Sequence, residues 1–143
     1  MELRLAVKKL REGARPPEYA TSGAAGLDLY ACLDAPMELA AGAGALIPSG
    51  VAVAIPHGYV GLVRDRSSLA VMGLLTVAGV IDSDYRGEVL IAMRNAGVAP
   101  ALVQPGQRVA QMLIIPCPQA AVEELPKLPE TERGAGGFGS TGR

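Results

Sequence analysis

The sequence predicts an all-β domain, and three observations carry that reading. Eighteen glycines and 11 prolines are spread over 143 residues, leaving few uninterrupted windows in which a long helix could grow. Between these breakers the apolar residues fall in short runs, several of them alternating with polar or small residues, as half-buried strands do. Half of the residues are hydrophobic, yet there is no Trp and only one Phe, so the core has to be built from Val, Leu, Ile and Ala. Part of that apolar surface is available for an oligomer interface, and the length suits a single domain with one core.

Leu3 to Val7 alternate weakly and read as a first strand, and Glu12-Gly13-Ala14-Arg15-Pro16-Pro17 as a loop. In Ser22-Gly23-Ala24-Ala25-Gly26-Leu27-Asp28-Leu29-Tyr30-Ala31, small residues precede an alternating strand. Asp28 lies between two leucines and so points away from the face they bury, as an ordinary solvent-facing strand residue would. Residues 50–56 and 59–64 read as two strands joined by Pro56-His57-Gly58, a turn that predicts a hairpin. His57 is the only histidine, and in a turn it reads as structural or surface.

Asp65-Arg66-Ser67-Ser68-Leu69-Ala70 combines a guanidinium with two hydroxyls, donors suited to phosphate oxygens. A short helix capped by Asp65 or Ser67 explains the same residues equally well. Residues 74–81 read as a strand leading into Gly79-Val80-Ile81-Asp82-Ser83-Asp84-Tyr85-Arg86-Gly87-Glu88, which is followed by the apolar run Val89-Leu90-Ile91-Ala92-Met93. This is how a tight β-hairpin is written, with a carboxylate at its mouth. Asn95-Ala96-Gly97 ends the outgoing strand, and residues 106–114 read as a turn and a strand carrying Gln111 on its polar face.

Five glycines fall in the last 11 residues, too many for a packed element, so residues 127–143 should be mobile. A formal Gly-x-Gly-x-x-Gly at 134–139 has no helix after it, which rejects a dinucleotide fold. Arg133, Phe138, Ser140 and Thr141 on such a ribbon suit closure over a base and its phosphates. A disordered tail accounts for the glycines but not for that set of side chains.

The net charge of −1 comes without a basic stripe, which argues against a nucleic-acid partner. Cys32 and Cys117 are far apart, with no CxxC, and suggest neither a zinc site nor a disulfide framework. With no signal-peptide run at Met1-Glu2-Leu3-Arg4-Leu5 and no spanning segment, a cytoplasmic protein without a membrane partner is expected.

Five of these segments, in order from about residue 22 to the end, resemble the motifs of the trimeric deoxyuridine triphosphatases, the dUTPases. They are the stretches around Asp28, Arg66-Ser67-Ser68, Ile81-Asp82-Ser83-Asp84-Tyr85, Gly106 to Gln111, and the tail. The resemblance implies a distorted jelly roll of β-clip type, assembled as a homotrimer with a flexible Gly-rich C-terminal tail. Residues 1–126 would form the body and 127–143 the tail. The implied reaction is dUTP plus water to dUMP plus pyrophosphate, which keeps uracil out of DNA and supplies dUMP for dTMP synthesis.

By the same resemblance Asp82 activates the attacking water. Asp28 acts through water on Mg²⁺, and Arg66, Ser67, Ser68 and Gln111 grip phosphates. Arg133, Ser140 and Thr141 close on the terminal phosphate, and Phe138 stacks on the base. Val80, Ile81 and Leu90 form the uracil mouth, and Tyr85 packs on the sugar. Two positions depart from the family pattern: Ser68 stands where many members have Gly, and Thr76 where many have an Asn that contacts the base. Three other readings compete. A dCTP deaminase-like enzyme would need a carboxylate where Ala92 stands. A non-catalytic nucleotide-binding trimer does not account for Asp82 together with Arg133 and Phe138. A structural β-roll has no use for the tail.

Overall fold

The computed structural model describes residues 2–142; Met1 and Arg143, the outermost residues of the predicted body and tail, lie outside the described residues. The strands are β1 (Ala6–Lys9), β2 (Leu27–Tyr30), β3 (Met37–Leu39), β4 (Gly44–Ala54) and β5 (Tyr59–Asp65), then β6 (Leu74–Thr76), β7 (Val80–Ile81), β8 (Glu88–Asn95), β9 (Ala101–Val103) and β10 (Arg108–Pro116). One turn of helix, α1 (Ser67–Ala70), is the only α-helix among the described residues. Two four-stranded antiparallel sheets, in orders β1-β4-β8-β6 and β2-β10-β5-β7, enclose one core, and β3-β9 forms a small third sheet. The architecture is the jelly roll.

The core follows the period of two. In β8, Val89, Ile91, Met93 and Asn95 are buried while Leu90 and Arg94 face outward, as side chains on opposite faces of a pleat must. Val89, Ile91 and Met93 share one core with Ile47 and Val53 of β4 and, from the second sheet, Leu29, Val63, Val109 and Met112. Each such aliphatic burial contributes about 1.5–3 kcal/mol. The one buried amide, Asn95, closes β8: its Nδ2 donates to the carbonyls of Leu39 and Ala99, and its Oδ1 accepts from Gly97 N–H at 2.9 Å. A buried polar side chain is tolerated here because its bonds are made.

Four local expectations are corrected. The first strand is Ala6–Lys9 instead of residues 3–7, because it takes its register from β4, with Ala6 opposite Ala54. The strands on either side of Pro56-His57-Gly58 do not pair. β4 lies between β1 and β8, and β5 between β10 and β7. The turn, with Gly58 at φ +83°, is a corner at which the chain changes sheets.

Residues 74–81 break into β6 and β7 in different sheets. The break falls at Ala78 (φ +59°) and Gly79 (φ +100°), a left-handed pair that swings the chain across until Gly79 C=O accepts from Val63 N–H at 2.8 Å. The predicted hairpin around residues 79–88 is therefore also no hairpin. Its turn exists, with Tyr85 N–H donating to Asp82 C=O at 3.1 Å, but β7 pairs with β5, and β8 with β4 and β6. At its mouth β7 and β8 belong to different sheets. β3 and β9, three residues each, had no expectation attached to them.

Candidate active site

Three neighbouring strands build a polar row on the outer face of the second sheet. Gln111 of β10 stands opposite Asp28 on β2 and Arg64 on β5, so the three side chains share one face while Leu27, Leu29, Val63 and Met112 turn inward. Asp28 is not the solvent-facing residue expected: it is 8% exposed. Its Oδ2 lies 3.2 Å from Arg108 Nη1 and its Oδ1 3.6 Å from Arg66 Nε. A carboxylate so deeply placed needs such partners. Arg66 also donates to the Arg108 carbonyl at 3.4 Å, so one anion holds two guanidiniums side by side.

Arg66 is the N-cap of α1, in extended conformation and with no side-chain capping bond. Asp65 and Ser67, the expected caps, do not fill that role. The Asp65 carboxylate turns instead to β6, where its Oδ1 accepts from Thr76 N–H at 2.6 Å and from the Thr76 hydroxyl. Its carbonyl accepts from Gln111 Nε2 at 2.9 Å. A Cβ at position 26 would lie 2.6 Å from Gln111 Oε1, so Gly26 leaves the space the amide occupies.

Beside this row, Tyr30 (4% exposed) donates to Glu18 Oε1 at 2.6 Å. Arg15 pairs with Glu18 and lies over the Tyr30 ring at 4.1 Å, a cation–π contact. Burial, and then the bond to Glu18, push the Tyr30 hydroxyl above the usual tyrosine range. That bond, followed by Arg15, holds Glu18 below the usual carboxylate range. Arg15, Glu18, Asp28, Tyr30 and Arg108 line a cleft of about 550 Å³. Arg15, Glu18, Arg64, Asp65 and Arg108 were missed as site residues; only the strand register, which sequence does not supply, brings them together.

Asp82 lies elsewhere. The register Gly61↔Ile81 puts it opposite Val60, at the far end of β5 from Arg66, roughly 20 Å away by the rise of a strand. It lines a second cleft of about 770 Å³ with His57, Tyr59, Asp84 and Cys117; His57 is in the turn, as expected. Tyr85 bends back over Gly87 and donates to the Glu88 carbonyl at 2.8 Å, and a Cβ at Gly87 would meet its ring and hydroxyl. Val80 and Leu90 are exposed, Ile81 is half-buried, and β7 is the edge strand of its sheet.

The tail carries Arg133, Phe138, Ser140 and Thr141 beyond the last strand. Its hydrogen bonds among the described residues are local, such as Ser140 N–H to Gly137 C=O, and Phe138 is fully exposed. One chain thus presents three separate groups: the Asp28–Arg66–Gln111 row, the Asp82–Tyr85 turn with its mouth, and the tail. Among the described residues no cluster of three or more His, Cys, Asp or Glu could hold a metal ion. Nor is any helix among them long and apolar enough to cross a membrane.

The family model described as dUTPase matches residues 13–142. The chain belongs to the dUTPase family. A dUTPase (deoxyuridine 5'-triphosphate nucleotidohydrolase) of Syntrophotalea carbinolica is 45% identical over 139 residues, covering 95% of each chain. One from Roseobacter denitrificans is 51% identical over 130 residues, covering 88% of this chain and 86% of its own. Among solved structures, the dUTPase of Staphylococcus bacteriophage 80alpha with dUpNHpp superposes at a TM-score of 0.91 with 28% identity, over 98% of this chain and 99% of that one. The segments that resemble dUTPase motifs, from Asp28 to Thr141, all lie within the matched span.

Proposed function

We propose that the chain hydrolyses dUTP to dUMP and pyrophosphate at sites completed between copies of a homotrimer. Membership of the dUTPase family carries the reaction. The observation behind the shared site is the gap between Asp82 and Arg66: roughly 20 Å along β5 exceeds what an arginine side chain and a triphosphate span when the attacked phosphorus must lie beside both. An Asp82 from one copy facing the Arg66 row of another removes that gap, with the tail of a third closing over both. Residues 1–126 form the body in this reading, and 127–143 the tail that closes.

Asp82 orients and deprotonates the attacking water in line with the α-phosphorus. Arg66, Ser67, Ser68 and Gln111 bind phosphate oxygens, and Asp28 holds Arg66 and Arg108 aimed at the same anion. Arg133, Ser140 and Thr141 close on the terminal phosphate while Phe138 stacks on the base. Where the sheets part, backbone groups around Val80, Ile81 and Leu90 match uracil's N3–H and O4; cytosine reverses that pattern and leaves groups unpaired. Thr76 stands opposite Met93 at the end of β6, and its hydroxyl is engaged by Asp65.

Mg²⁺ would be held here through water by Asp28, which has acceptor sites left beyond Arg66 and Arg108, and would otherwise arrive with the substrate. It would screen the phosphate charge against the nucleophile. The cytoplasm, where an exposed free thiol such as Cys117 stays reduced, is the proposed compartment.

Incubation with dUTP, dCTP and dTTP followed by product analysis tests the assignment. Pyrophosphate and dUMP from dUTP alone are expected, and deamination of dCTP would sink it. Asp82→Asn keeps the shape and removes the base, so turnover should fall by roughly 10²-fold or more with substrate binding retained. Near-normal turnover would take Asp82 out of the mechanism.

A further inference from the structure

We propose that Asp65 is a positioning residue, which ties the phosphate-binding row to the strand leading to the base mouth. The proposal rests on the functional reading above. Asp65 ends β5, and its two polar ends reach in different directions. One carboxylate oxygen, Oδ1, accepts both the Thr76 N–H, at 2.6 Å, and the Thr76 hydroxyl. Thr76 is the last residue of β6, so these bonds cross from one sheet to the other. The main-chain carbonyl accepts Gln111 Nε2 at 2.9 Å. Asp65 therefore holds β6 with its side chain and Gln111 with its backbone.

The phosphate-binding turn depends on this anchor because it has little of its own. α1 is a single turn, too short to be stable alone, and its N-cap Arg66 makes no side-chain capping bond. Leu69, buried in the core, fixes the far side of that turn, and Asp65 fixes its entry. Bonds to an ionised acceptor are stronger than neutral ones, and a two-point hold on Thr76 restrains rotation as well as distance. The same bonds engage the Thr76 hydroxyl as a donor, so this threonine acts on the scaffold and does not read the base as an asparagine would.

Calorimetric binding of two probes to the full chain separates these roles: pyrophosphate for the phosphate end and deoxyuridine for the base end. Thr76→Val removes the hydroxyl and keeps the shape. It should weaken pyrophosphate binding about tenfold and leave deoxyuridine binding within twofold. Thr76→Ser restores the hydroxyl and with it most of the pyrophosphate affinity. Asp65→Asn keeps Oδ1 but removes the charge, and a loss of several-fold is expected; added to Thr76→Val its further loss should be smaller than its loss alone, because the hydroxyl bond is already gone and only the N–H bond is left to weaken.

Thermal unfolding of each variant checks that the fold is kept, and Asp65→Asn carries the test if Thr76→Val does not fold. Loss of deoxyuridine binding with pyrophosphate binding unchanged would overturn the proposal and make Thr76 a base contact. Equal loss in Thr76→Val and Thr76→Ser would overturn it as well. A wild-type chain that binds neither probe would instead overturn the functional reading and remove the proposal with it.

Discussion

Tyr85 and Tyr30 are both hydrogen-bonded phenols, and their surroundings give them different work. Tyr85 is held over Gly87 by its bond to the Glu88 carbonyl, with part of its ring exposed beside Asp82. A deoxyribose packed on that ring, as the resemblance to dUTPases implies, would leave no room for a ribose 2′-hydroxyl. UTP should therefore be a poor substrate, and Tyr85→Ala should narrow the ratio of kcat/KM for dUTP over UTP. A ratio unchanged by the substitution would mean the sugar is read elsewhere. Tyr30 is buried, and its hydroxyl is bonded to Glu18. Its raised pKa contributes stability that is whole below the ordinary value of 10.0 and is lost as pH rises through the higher folded value. Tyr30→Phe should lower stability at neutral pH by about 1 kcal/mol and flatten the fall in Tm between pH 9 and 11. Glu18 works in the opposite direction: its contribution is present above 4.5 and is lost as pH falls through its lowered value. An alkaline fall in Tm as steep in Tyr30→Phe as in the wild type would remove Tyr30 from that account.

The element that decides the architecture is the short link between β6 and β7. Gly79 takes φ +100°, and a Cβ there would lie 2.8 Å from the Val63 carbonyl. Any side chain meets both backbone strain and a collision, so Gly79→Ala should cost about 2 kcal/mol. Urea unfolding at fixed protein concentration measures it, and a cost below about 0.5 kcal/mol would mean that the switch between sheets tolerates a side chain. Asp82 lies three positions after this glycine, so loss of the switch should also lower turnover.

In the whole molecule the three separated groups make a prediction about assembly. If Asp82 and the tail reach one site from different copies, two inactive proteins should rescue each other: Asp82→Asn, and a chain ending at Glu132. In a mixed cyclic trimer one junction of three joins an intact Asp82 to an intact tail. Random co-assembly makes about three quarters of the trimers mixed, so roughly a quarter of wild-type capacity should return. Co-expression followed by pyrophosphate release from dUTP measures this, with each variant alone shown to be trimeric and nearly inactive. No recovery from demonstrated mixed trimers would refute the shared site and leave the family membership standing.

What the sequence determined by itself was local. Its spacing of Gly and Pro excluded long helices, the apolar run Val89 to Met93 foretold a strand, and Asn95-Ala96-Gly97 marked where β8 stops, while the one buried face of that strand came only with the structure. Motifs such as Arg66-Ser67-Ser68 and Ile81-Asp82 marked the family because each is a short run of neighbouring residues. Pairing was not legible. The turns at Pro56-His57-Gly58 and at residues 82–87 look like hairpin turns, yet each joins strands of different sheets, because a turn fixes the direction of the chain while the partner of a strand is chosen by core packing and register. Only the tertiary structure placed Arg108, paired to Asp28 from 80 residues away, and turned Asp65 from the expected helix cap into an acceptor for Thr76. Both depend on register between strands distant in sequence, which is set by the buried faces of the sheets and leaves no local mark on the residues that it brings together.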